Sequence, residues 1–106
     1  MSAVDDLVTW LQQQLENQRF NGEGLKKLAF AFPPETGAFL VEMGDLLVAE
    51  VDAKRRILDE AASVARFARQ DGTPVSTGML NVAQTMVELI ALPYADRPGY
   101  RDEWRP

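Results

Sequence analysis

Glu-Val-Asp-Ala-Lys-Arg-Arg-Ile-Leu-Asp-Glu, residues 50–60, sets the fold class. Glu50 precedes Lys54 by four residues, Asp52 precedes Arg56 by four, and Arg55 and Arg56 precede Asp59 and Glu60 by four. Pairs at that spacing meet on a helix surface and stabilise it by about 0.2–0.5 kcal/mol each, acid before base being the better order. Val51, Ile57 and Leu58 fall on a side separate from most of these charges, so the segment has one face to bury and one to solvate. Outward from it, no proline intervenes between about Glu35 and Gln70. Leu40, Gly44, Leu47, Val51, Leu58, Ala61, Ala65 and Ala68 keep a three-four spacing that only Lys54 breaks. The pattern predicts one long central helix over about 35–70. Its first half carries large residues and its second half alanines, so a neighbouring helix should approach the second half more closely. Unbroken, it would span roughly 50 Å, longer than a domain of this size needs, so it should bend or project.

Before this helix, Ser2 is placed to cap a first helix, with Asp5 and Asp6 favourable near its positive end. Val4, Leu7, Val8, Leu11 and Leu15 form one apolar stripe. Trp10 lies at the edge of that stripe, as a core or boundary anchor. The helix is expected to run to about Gln18, with Asn21-Gly22 ending it. Leu25, Leu28, Ala29 and Phe32 predict a short second helix stopped by Pro33-Pro34 and docked on its neighbours, since a helix so short is marginal alone.

After the central helix, Asp71-Gly72-Thr73-Pro74 reads as a stop and turn, with Gly72 in the left-handed position. Ser76 or Thr77 is expected to start a last helix that buries Met79, Leu80, Ala83, Met86, Val87 and Ile90 and ends near Leu92, before Pro93. The two methionines are read as adaptable core filler. The tail, 94–106, is too aromatic to be solvated. Tyr94, Tyr100 and Trp104 should dock across the helices, with Arg97, Arg101 and Arg105 shielding the rings. The expected fold is all-α: a small helical bundle of three to four helices in one domain, 1–106, with the aromatic tail packed on the long helix.

The 106 residues include no cysteine and no histidine, which removes disulfides, thiol chemistry, most zinc sites and every histidine-based acid–base arrangement. Apolar content of 46% and charged content of 25% are those of a folding chain. The net charge of −5 and a pI near 4.6 oppose general binding to nucleic acid. No unbroken apolar run approaches the roughly 18 residues of a membrane span, and the first residues lack a basic signal-peptide region. A cytoplasmic protein without membrane association is expected.

Two stretches, EVDAKRRILDE at 50–60 and LIALPYADRPGYRDEWRP at 89–106, resemble the hallmark segments of a domain-of-unknown-function family found in actinobacteria and their phages. The opening DDLVTWLQQQLE, 5–16, is similar to that family's first helix. Residues 19–49 depart from it, lacking the Pro-Gly-Pro-Trp and histidine-containing segments of typical members. The resemblance implies a small helical protein of actinobacterial or actinophage origin and brings no activity with it.

No catalytic, cofactor-binding or metal-ligating residue is assigned. The leading expectation is a non-enzymatic protein-interaction module that binds another protein or itself, through the aromatic tail or an exposed apolar part of the long helix. Against it stands the simpler reading that the tail completes the core. Lys54, Arg55 and Arg56 are expected to form a clasp with the tail, meeting Asp96, Asp102 or one of the rings of Tyr94, Tyr100 and Trp104. A second expectation, a metal-dependent phosphohydrolase, rests on Glu42-x-x-Asp45 alone and lacks the partner carboxylate pair. A third, local binding of an anionic partner, rests on Arg55, Arg66 and Arg69 along one side of the helix, with Asp59 interrupting them.

Overall fold

The computed structural model describes residues 3–106. The fold is all-α, a small helical bundle of three α-helices and three short 3-10 turns, with no strand among the described residues. Helix α1 spans Ala3–Leu28, α2 spans Pro34–Asp71 and α3 spans Pro74–Ala91. The 3-10 turns are Ala29–Ala31, Leu92–Tyr94 and Asp102–Trp104. The expected cap, Ser2, lies outside the described residues. Two compact units divide the chain: Met1–Gln12 with Arg56–Pro106, and Gln13–Arg55.

In the second unit, Asn21-Gly22 does not end α1, which continues to Leu28 and absorbs the expected short helix. Gly22 is a packing residue. A Cβ on it would lie 2.9 Å from Val48 Cγ2 and 3.1 Å from the Gly44 carbonyl oxygen, and a Cβ on Gly44 would lie 2.6 Å from the Gly22 carbonyl oxygen. Tertiary contact here overrides the low helix propensity of glycine, because only two residues without side chains let the backbones of α1 and α2 come this close. Gly37 repeats the device against the Ala29 carbonyl oxygen, 2.8 Å from its would-be Cβ. The first half of α2 therefore also takes a close neighbour, contrary to the taper expected from its large residues. Of the large residues on the expected line, Leu40 and Leu47 are half-buried and Val51 is buried, whereas Phe39 and Leu46, off that line, are exposed, as are Phe20 and Phe30. Of the residues expected to dock there, Ala29 is buried while Leu28 and Phe32 are 50% and 45% exposed, and Phe30 beside them is 94% exposed. Ion pairs from Arg19 to Asp52 at 3.1 Å and from Lys26 to Asp45 at 3.0 Å join the two helices at their rims. Asp52 thus turns to α1 and not to Arg56, four residues on along its own helix.

In the first unit, Leu7 and Leu11 of α1, Leu58, Ala61, Ala65 and Ala68 of α2, and Ala83, Val87 and Ala91 of α3 are buried, as the three-four spacing predicts for the first two helices. Ile57, expected with Leu58 on the buried side, is 43% exposed. Gly72 takes φ +68 and closes α2 as expected. The start of α3 lies earlier than Ser76: Thr73 is the N-cap, its Oγ1 accepting from the Ser76 amide at 3.1 Å, and Pro74 occupies the first turn, where a missing N–H costs nothing. Ser76 and Thr73 hydroxyls both donate to Asp71 Oδ2. These bonds, Ser76's first, hold the Asp71 carboxyl below its ordinary pKa.

Candidate functional site

The aromatic tail is organised by a residue near the other end of the chain. Trp10 packs its ring 5.5 Å from Tyr100 and 5.5 Å from Trp104, which lie 5.6 Å from each other, Tyr100 presenting edge-on to both. Trp10 Nε1 donates to the Pro98 carbonyl at 3.0 Å, and Arg101 reaches Asp6 at 3.3 Å. The three tail arginines sit over the rings as expected, Arg97 on Tyr94, Arg101 on Trp104 and Arg105 on Tyr100, at 5.2–5.6 Å. Tyr94 and Trp104 are almost fully buried. Their apolar area therefore belongs to the core of this unit, while Tyr100 is half-buried and the residues between are largely exposed. Sequence reading placed Trp10 at the rim of α1 but offered no signal that it meets the tail.

Of the other clasp residues, Lys54 is half-buried, and Arg55 and Arg56 are exposed. Of the expected row, Arg66 and Arg69 belong to the first unit and Arg55 to the second. Arg66 and Arg69 share a cleft of about 350 Å³ in the first unit, between the start of α1 and the latter part of α2. Asp5 and Asp59 line the same cleft, and Arg69 lies 3.6 Å from Asp5. An anion entering would meet two carboxylates beside the two guanidinium groups. Arg55 instead lines a depression in the second unit, with Glu16, Arg19, Phe20, Glu23 and Lys27, where bases and acids again alternate.

Glu42 and Asp45 do not grow into a metal site: among the described residues no group of three or more acidic side chains is placed to hold an ion. Asp45 is occupied by Lys26, whose ammonium its hydrogen bond and charge hold above the ordinary lysine pKa.

The arrangement that sequence reading missed is on α3. Its buried face is Ser76, Ala83, Val87 and Ala91, but Met79 and Met86, expected in the core, are 36% and 40% exposed. They belong to a second stripe, Val75, Met79, Val82, Met86 and Leu89, spaced four, three, four and three. That is the a/d spacing of a coiled-coil seam, and here it faces outward. The signal was in the sequence: apolar residues cover about half of the helix circumference, wider than one packed face requires. Asn81, Val82, Thr85 and Met86 line a shallow depression of about 270 Å³ on this side. Over Pro74–Tyr94 the mean hydropathy reaches 1.3, so by length and composition this one helix is apolar enough to cross a membrane. Asn81, Gln84, Thr85 and Glu88 break this stretch into short apolar runs, so no single run reveals it.

A family model described as a family of unknown function, DUF6221, matches residues 44–106, more than half of the chain. The chain belongs to DUF6221. The DUF6221 match takes in both quoted segments, 50–60 and 89–106, together with the outward stripe of α3. Trp10, Asp6 and Gly22 lie before it, so the ring that Tyr100 and Trp104 close upon is supplied from outside the DUF6221 match. No curated protein and no solved structure matches the chain.

Proposed function

We propose that this DUF6221 chain is a non-enzymatic protein-interaction module of actinobacterial or actinophage origin, and that its contact surface is the outward face of α3. The origin rests on the likeness of residues 50–60 and 89–106 to proteins of those sources. The contact surface rests on one observation, the uncovered stripe Val75, Met79, Val82, Met86 and Leu89. Exposed apolar residues scattered singly are ordinary, whereas a continuous stripe at seam spacing is the shape that a second helix covers. The stripe is flanked by uncharged Gly78, Asn81 and Thr85, and Glu88 is the only charged residue in α3. Low charge at the centre of a patch is the compositional mark of an interface core.

A photo-reactive amino acid placed at Val82 tests this reading in cells. Light should produce an adduct containing a second polypeptide, and the same probe at Glu60, an exposed residue of α2, should produce far less. Equal adduct yields at the two positions would overturn the proposal.

A further inference from the structure

The stripe on α3 is close to self-complementary. Turned end for end about Val82, its positions at −7, −3, +4 and +7 exchange so that Val75 meets Leu89 and Met79 meets Met86, with Val82 on the axis. A two-fold interface requires this kind of self-matching patch. We propose that the occupant is a second copy of this chain, paired through α3 against α3 in antiparallel orientation. The inference deepens the interaction reading and rests on it.

Three further observations carry it. The five side chains, 36–74% exposed, offer about 500 Å² per copy, so that covering them fully on both copies removes roughly 1,000 Å² in total, about the least that a specific interface needs. Charge does not oppose it: α3 has no lysine or arginine, and its one acid, Glu88, lies on the side of the helix turned away from the stripe, beside Leu7 and Trp104. The absence of basic residues also disfavours an anionic membrane surface as the occupant, since helices lying on such surfaces use lysine and arginine to hold the headgroups. Gly78, beside the stripe, has no neighbour that a Cβ would touch. It therefore leaves room for a second helix to approach closely beside the stripe.

Sedimentation of the full chain at about 100 µM, well above a micromolar dissociation constant, should give twice the 11.8 kDa monomer mass. Val82→Glu places two carboxylates on the axis and should return the mass to 11.8 kDa with an unchanged helical spectrum. Mixing Val82→Glu with Val82→Lys should restore the dimer. Because the chain has no cysteine, Val82→Cys should form a disulfide with itself, and Val75→Cys should bond to Leu89→Cys and not to its own copy. A monomer under these conditions would overturn self-pairing, as would Val75→Cys bonding to itself. If the chain sediments as a monomer but the Val82 adduct still contains another polypeptide, self-pairing fails and the interaction module stands. Binding of the monomer to phosphatidylcholine or phosphatidylglycerol vesicles, lost in Val82→Glu, would overturn both in favour of a lipid surface.

Discussion

Gly99 takes φ +91, and a Cβ on it would lie 2.7 Å from Trp10 Nε1. Two independent penalties therefore meet at one residue: a backbone conformation that side chains resist and a ring already packed against Tyr100 and Trp104. Gly99→Ala should destabilise the protein by roughly 2–4 kcal/mol, read from the midpoint of urea unfolding. Measured in a Trp10→Phe background, which lacks the atom in closest conflict, Gly99→Ala should cost less but not nothing, since the strained φ persists. Equal stability of Gly99→Ala and the parent would show that the turn is free of the ring. Pro98-Gly99 was legible as a turn from the dipeptide alone. That Trp10 is what demands the glycine was not, because the bonded partners Trp10 and Pro98 stand 88 positions apart and no local pattern connects them.

At the scale of the element, the same residue type means opposite things in neighbouring helices. Gly44 faces the Gly22 carbonyl and the Lys26 stem at 2.6 Å, while Gly24 has nothing within 4 Å of its would-be Cβ. Gly24→Ala should stabilise α1 by about 0.5–1 kcal/mol through helix propensity. Gly44→Ala gains the same propensity but forces two backbones apart, and should lose about 1–3 kcal/mol net. Thermal unfolding of the two variants should shift in opposite directions; a shared direction would refute the close crossing. This explains why the end of α1 was misplaced: spacing rules treat glycine as punctuation, and its packing role depends on a helix more than twenty residues away. The long α2, Leu58 and the alanines after it were legible, because three-four periodicity is a property of the helix itself. The turn into α3 makes a prediction of its own. Asp71, held below its ordinary pKa by Ser76 and Thr73, contributes stability that is complete above the unfolded carboxylate value near 3.9 and is lost as pH falls through its lowered folded value. Asp71→Asn should lower the melting temperature at pH 6 and narrow the gap to the parent at pH 2. A gap that stays constant from pH 6 to pH 2 would mean that the charge plays no part.

For the whole molecule, the opposing claims about the tail and about α3 can be separated by what each surface does to stability. Tyr94 and Trp104 are buried at 2% and 3% exposure, and losing a buried aromatic side chain costs about 3–5 kcal/mol. Two such losses approach the whole stability of an ordinary domain, about 5–15 kcal/mol. Ending the chain at Ala91 should therefore abolish cooperative unfolding of the unit built from residues 3–12 and 56–106. It should also shift the emission of Trp10, then the sole tryptophan, to that of a ring in water. The stripe on α3 behaves in the contrary way, since Val82 is 61% exposed and supports little of the monomer. In Val82→Glu, unfolding measured at concentrations too low for association should stay within about 0.5 kcal/mol of the parent, so that whatever the substitution abolishes at high concentration is contact and not fold. A truncated chain that keeps a cooperative transition and a buried Trp10 would make the tail an appendage available to partners. A Val82→Glu chain that unfolds early would return the stripe to the core, and the division of roles between the two surfaces would then be reversed.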